Sequence, residues 1–170
     1  GILLGLAFLS KYFAVLLGLA YLVWAVATRR PAAFGLVVLG ALPAGLLNLY
    51  WNWQACWCNV MFNAINRHGD AGFSWTTPAL YAASLAYLAA PLLWYAWKGR
   101  ARLRSGGNGA LLLAWLVPLL VFALLSPVRR IGLHWLMSFV PALILSVALA
   151  LERHALVVTV RWFAGIAVLQ

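Results

Sequence analysis

An all-α, polytopic transmembrane helix bundle of about five to six spans is the fold this sequence predicts. Three observations predict it. Hydrophobic residues make up 66% of the 170 residues, charged residues only 8%, and the mean hydropathy is +0.98. Soluble domains are nearer one half apolar and one quarter charged. Apolar runs recur along the chain at lengths near the roughly 20 residues a spanning helix needs. Between those runs lie short loops holding most of the basic residues, where orientation signals belong. A net charge of +10 suggests nucleic acid in a soluble protein. Here no basic face exists outside the apolar runs, so nucleic acid is not an expected partner; membrane lipids are.

The first run is apolar over 1–10, is interrupted by Lys11, and is apolar again over 12–28 until Arg29, Arg30 and Pro31. One continuous helix would exceed the usual span by about eight residues. An ammonium at mid-membrane marks a functional cavity more often than not. Two short helices meeting near Lys11, with the side chain directed into a polar cavity, are therefore predicted. The plainer alternative is a lysine snorkelling at a helix end. Arg29 to Pro31 make a basic, helix-breaking loop, and 33–50 returns across the membrane with Pro43 as a kink. After a polar central stretch, 77–97 forms the next span, with Pro78 in its first turn. A basic loop with a Gly/Ser turn covers 98–108. The run 110–125 spans again, 126–130 is a tight turn, and 131–151 is a further span ending at Glu152, Arg153 and His154. The segment 155–170, apolar but for Arg161, reads as either a span or an interfacial helix.

The chain starts with Gly1 and both ends fall in apolar sequence, without the charged n-region of a signal peptide. A fragment of a longer membrane protein is expected, forming one transmembrane domain over 1–170: first spans over 1–49, a loop over 50–76, later spans over 77–170. Seven basic residues (Arg29, Arg30, Lys98, Arg100, Arg102, Arg104, Arg153) fall on one side of this topology. Four (Lys11, Arg67, Arg129, Arg130) fall on the other. The positive-inside rule makes the first side cytoplasmic and the 50–76 loop periplasmic. The four residues on the outer side work against that bias, so topology gives no reason for them.

The stretch 50–75 differs from everything around it. It holds Trp51, Trp53, Trp57 and Trp75, together with Asn52, Asn59, Asn63 and Asn66, and also Arg67, His68 and Asp70. The Trp residues suit an interfacial belt or a sugar-stacking platform. The Asn residues suit hydroxyl recognition or the capping of short helices. An amphipathic helix is predicted over 58–65. Cys56 and Cys58 form a C-x-C pair with no second pair to complete a zinc site, and a bridge across so short a span would be strained. They read as two small apolar residues near a membrane surface.

Lys11, Arg67, Arg129, Arg130 and His134 all lie at or near the predicted outer face. Cations converging at a membrane surface suit a lipid phosphate, with Arg offering bidentate contacts. His134 follows Arg130 by about one helical turn, so both could face one cavity; a buried, satisfied imidazole is the alternative. Asp70 and Glu152 are the only carboxylates, and no pair for acid–base work is visible. No nucleophile triad, P-loop or metal motif is present.

The segment G-L-A-F-L-S-K-Y (residues 5–12) resembles the G-L-x-x-L-[ST]-K-[YG] element of GT-C type polyprenyl-phosphate-dependent glycosyltransferases. These are the family 39, protein mannosyltransferase-like enzymes and the related lipid A aminoarabinose transferases. Trp51-Asn52 after a Pro-containing span, Phe62-Asn63 and Asn66-Arg67 are similar to the group's W-N segment and following loop. Arg130-x-x-x-His134-Trp135 with Pro141-Ala142 is similar to a late element of the same group. The resemblance implies a GT-C-like bundle in a bacterial inner membrane, moving a sugar from a polyprenyl-phosphate carrier to a lipid, glycan or protein acceptor at the periplasmic face. It implies that Lys11, Arg67 and Arg130 hold the lipid phosphate, with Trp51, Asn52, Asn63, Asn66, Arg129 and His134 also lining the substrate. The catalytic carboxylate would lie in a loop upstream of Gly1, so these residues alone would be inactive. No cofactor is implied within them, and the resemblance does not decide on a divalent cation. One departure stands out: relatives carry W-N-x-x-H, and this chain has Ala55 at the His position.

A transporter or flippase for a phosphate-bearing lipid is the rival reading. It should show inverted repeats or broken helices in both halves, and no internal repeat is visible between 1–67 and 76–170. A non-catalytic membrane scaffold is the third, and it leaves Lys11 and the Arg129-Arg130 pair unexplained.

Overall fold

The computed structural model describes residues 1–64, 72–100, 109–150 and 153–169. Among them every regular element is helical and no strand is present. The chain divides into two compact units, Gly1–Phe73 and Ser74–Gln170.

The first unit contains α1 (Ile2–Ser10), a 3₁₀ turn (Tyr12–Ala14), α2 (Val15–Ala27), α3 (Pro31–Gln54) and α4 (Cys58–Ala64). Lys11 is extended, with φ −148° and ψ 125°. It separates α1 from α2 at the position where the lysine interrupts the apolar run. Pro31 opens α3 at a position where its missing N–H is not needed. The 24 residues of α3 give about 36 Å of helix.

α1 packs on α3 through small residues. A Cβ at Gly5 would sit 2.8 Å from Ala44 Cβ, and one at Gly40 would sit 2.9 Å from Gly1 Cα. Only glycine allows backbones this close, which is how helices associate where lipid removes the hydrophobic drive.

Both long helices of this unit end in the same way. After α2, the Arg30 N–H bonds Ala25 O (2.8 Å) and the Arg29 N–H bonds Val26 O (3.1 Å). After α3, the Trp57 N–H bonds Asn52 O (2.8 Å) and the Cys56 N–H bonds Trp53 O (3.3 Å). These are Schellman closures. The residue that takes the left-handed position is normally glycine; here it is Arg29 (φ 54°) and Cys56 (φ 50°), with Trp57 left-handed as well (φ 57°). Because the closure falls beyond Gln54, Trp51 to Gln54 ride on the last turn of α3 and not in a loop from residue 50.

The second unit contains α5 (Thr76–Lys98), α6 (Gly109–Leu125), α7 (Leu133–Met137), α8 (Val140–Ala150) and α9 (Arg153–Leu169). Its core is built from Leu88, Leu92, Trp115, Phe122, Leu136, Phe139, Leu143 and Val147. Phe122 stacks against both Trp135 and Phe139, with ring centroids 5.8 Å apart in each pair. Trp115 Nε1 donates to Ser146 Oγ at 3.0 Å, and Tyr81 Oη donates to Leu119 O at 2.7 Å, tying α6 to α8 and to α5.

Two spans expected to be single helices are not. The two halves of α5, Thr76–Ala90 and Leu92–Lys98, meet at 80°. The residue between them is Pro91, which has no backbone N–H to donate. The run 131–151 is split into α7 and α8. Pro141 accounts for this split too: it cannot donate to the carbonyl of Met137, and in a continuous helix its ring would clash there. The segment 155–170 is helical through Leu169.

Among the described residues α3 alone is long and apolar enough to cross a membrane as one helix. The two halves of α5 meet that test only together, and the apolar helices over 12–27, 109–125 and 140–149 are shorter.

A polar cleft at the helix break and its candidate site residues

The break after α1 brings Lys11 out of helical register and into a cleft of about 490 Å³. Lys11 shares this cleft with Ser10, Tyr12, Asn48, Trp51 and Asn59. The polar lining comes from three elements. Ser10, Lys11 and Tyr12 come from the break itself; Asn48 and Trp51 lie one turn apart on α3; Asn59 comes from α4. Tyr12 Oη receives hydrogen bonds from Asn48 Nδ2 (3.4 Å) and Asn59 Nδ2, drawing α3 and α4 to the break.

Asn52 sits behind this lining. It is 1% exposed, and its Nδ2 donates to Asn48 O (2.8 Å) and Asn48 Oδ1 (3.0 Å). Its own Oδ1 is buried without a partner among the described residues. Asn52 therefore reaches the cleft through Asn48. Trp51, by contrast, is 54% exposed on the cleft wall.

A second, almost wholly apolar cleft of about 400 Å³ runs between α1, α2 and α3, lined by Leu4, Gly5, Phe8, Gly18, Leu22 and Phe34 among others. Phe8 lines both cavities. The polar cleft thus adjoins an apolar groove at a single shared ring. On another face of α3, Tyr50, Trp53, Gln54 and Trp57 line a third cleft of about 400 Å³.

Asn63 lies on α4, and its side chain falls outside the described residues, as do Asn66 and Arg67 entirely. In the second unit, Ser74 N donates to Pro127 O (2.9 Å) and anchors the 126–130 turn. Arg129 on that turn is half-buried and Arg130 is exposed. His134 is exposed on α7, so the buried-imidazole alternative does not hold. Arg130 and His134 do not share a helical face. Gly132 is extended (φ −76°, ψ 145°) and α7 begins only at Leu133, which leaves Arg130 outside the helix. The His134 ring instead folds back over Gly132, where a Cβ would meet its Cε1 at 2.8 Å.

Sequence reasoning missed Tyr12 and Asn48. The signal was there for Asn48: a polar residue inside an apolar span, one turn before Asn52, is a reason to look for a network. Cys56 and Cys58 are free and exposed. Among the described residues no three His, Cys, Asp or Glu side chains come together to hold a metal. Comparison with protein-family models, curated proteins and solved structures finds no match to this chain.

Proposed function

We propose that this chain is part of a membrane glycosyltransferase of the GT-C type. It takes a sugar from a polyprenyl-phosphate donor at the periplasmic face of a bacterial inner membrane and passes it to a lipid, glycan or protein acceptor. Its helices are the spans of a polytopic bundle. The observation that carries this reading is the pairing of the Lys11 cleft with the apolar groove across Phe8. A phosphate joined to a long apolar chain is the ligand whose two ends match those two surfaces. An ammonium beside the phosphate stabilises the charge that builds on it as the sugar leaves. The resemblance of residues 5–12 to the G-L-x-x-L-[ST]-K-[YG] element supports the same assignment for Lys11. The catalytic carboxylate is assigned, on that resemblance, to a loop preceding Gly1.

The test is transfer of radiolabelled sugar from a polyprenyl-phosphate donor in membranes holding the full reading frame. Lys11→Ala and Arg67→Ala are expected to abolish transfer at unchanged protein levels. Full transfer by both variants would remove the phosphate site. The rival, a transporter or flippase, draws on the helix break at Lys11, because interrupted helices line transporter sites. Movement of the labelled lipid across the bilayer without any sugar transfer would select that rival.

A further inference from the structure

One backbone carbonyl fixes the direction of the hydrogen bonds behind the Lys11 cleft. Asn52 Nδ2 donates to Asn48 O at 2.8 Å, and a carbonyl oxygen can only accept. The Asn52 amide is therefore oriented with its nitrogen towards Asn48. The same nitrogen lies 3.0 Å from the nearer side-chain atom of Asn48, which must then be Oδ1. Asn48 Nδ2 is left facing Tyr12 Oη at 3.4 Å. Asn59 Nδ2, arriving from α4, donates to the same oxygen. A phenolic oxygen that receives two N–H groups has used its acceptor capacity and keeps one proton to give. With the Asn59 amide in this orientation no other described residue accepts that proton, and Tyr12 lines the cleft beside Lys11.

We propose that the Tyr12 hydroxyl donates a hydrogen bond to the phosphate oxygen of the bound ligand, next to the Lys11 ammonium. This rests on the reading of the cleft as a phosphate site, and it adds a second donor whose hydrogen bond is worth more to a charged phosphate than to an alcohol. Lys11 and Tyr12 then both present donors, so the cleft suits a group that only accepts. The Tyr12 ring meets Phe8 edge-on at 5.4 Å between centroids, and Phe8 lines the apolar groove as well. Tyr12 therefore stands where the head of a lipid gives way to its chain.

The test is equilibrium binding of farnesyl phosphate, farnesol and inorganic phosphate to the protein in lipid nanodiscs. Tyr12→Phe keeps the ring against Phe8 and removes only the hydroxyl. It is expected to weaken farnesyl phosphate about tenfold or more, the usual effect of losing a hydrogen bond to a charged group, while farnesol, a neutral acceptor, weakens less. If Lys11→Ala loses farnesyl phosphate and Tyr12→Phe does not, the role of Tyr12 is overturned and the phosphate site stands. If the unaltered protein prefers farnesyl phosphate no more than farnesol, both fail. Inorganic phosphate bound as tightly as farnesyl phosphate, with the same dependence on Tyr12, supports the donor role and makes the ligand a free phosphate instead of a lipid headgroup. Should Tyr12→Phe weaken farnesol as much as farnesyl phosphate, the hydroxyl does not serve the phosphate and the proposal is overturned.

Discussion

At Arg29 and Cys56 the backbone is left-handed with a side chain in the way, and nothing in the local sequence signals it. A non-glycine residue there carries about 1–2 kcal/mol of strain, offset in part by the conformational entropy that glycine would lose. Cys56→Gly and Arg29→Gly are each expected to stabilise the protein by about 0.5–1 kcal/mol net, read as a rise in thermal unfolding midpoint in detergent. An unchanged or lower midpoint for both would mean that the Schellman closures are not under strain. Ser146 is the opposite case, a polar residue whose partner is fixed. Ser146→Ala strands the buried Trp115 N–H and is expected to destabilise by about 1–3 kcal/mol, whereas Trp115→Phe in the same background should recover part of that loss. Lys11 was legible because a lone ammonium in an apolar run is conspicuous. Tyr12 was not, because an aromatic hydroxyl beside an apolar run looks like any interfacial tyrosine until the donors that face it are known.

Among the elements, breaks matter more than lengths. The break at Lys11 was readable from charge. The bend at Pro91 and the split before Pro141 follow from missing N–H groups, yet the prolines at 43 and 118 lie inside continuous helices. Proline in an apolar helix is tolerated where neighbours satisfy the freed carbonyl, and a single sequence does not reveal which prolines have such neighbours. Arg130 and His134, about one helical turn apart in sequence, are separated by the extended Gly132, which leaves Arg130 outside α7. The α1–α3 pair offers the sharpest test at this scale. Gly5→Leu forces the backbones apart at Ala41 and Ala44 and is expected to lower stability by about 1–3 kcal/mol, the usual range for overpacking. It should weaken farnesyl phosphate binding as well, because the Lys11 break hangs from the end of α1. Gly35→Leu, at a glycine with open space around it that lines neither cleft, should do neither.

For the whole molecule, the charge pattern gives an orientation that can be checked with the native cysteines. Cys56 and Cys58 are the only two cysteines in the chain; Cys56 follows α3, Cys58 opens α4, and both are exposed. A membrane-impermeant maleimide added to spheroplasts is expected to label them from outside. Labelling only after the membrane is opened would invert the topology. At the C-terminal end of α5, Lys98 lies over the Trp94 ring at 4.9 Å and Arg100 over Trp97 at 5.2 Å, two cation–π contacts. The central claim is that a polyprenyl phosphate lies with its head at Lys11 and its chain in the groove beyond Phe8. The most direct measurement is photolabelling in native membranes with a prenyl phosphate carrying a benzophenone in its chain, followed by mass-spectrometric mapping. Adducts are expected on the groove residues Leu4, Leu19 and Leu22, suppressed by excess unlabelled polyprenyl phosphate and lost in Lys11→Ala. Adducts confined to other helices, or unaffected by either treatment, would contradict that claim.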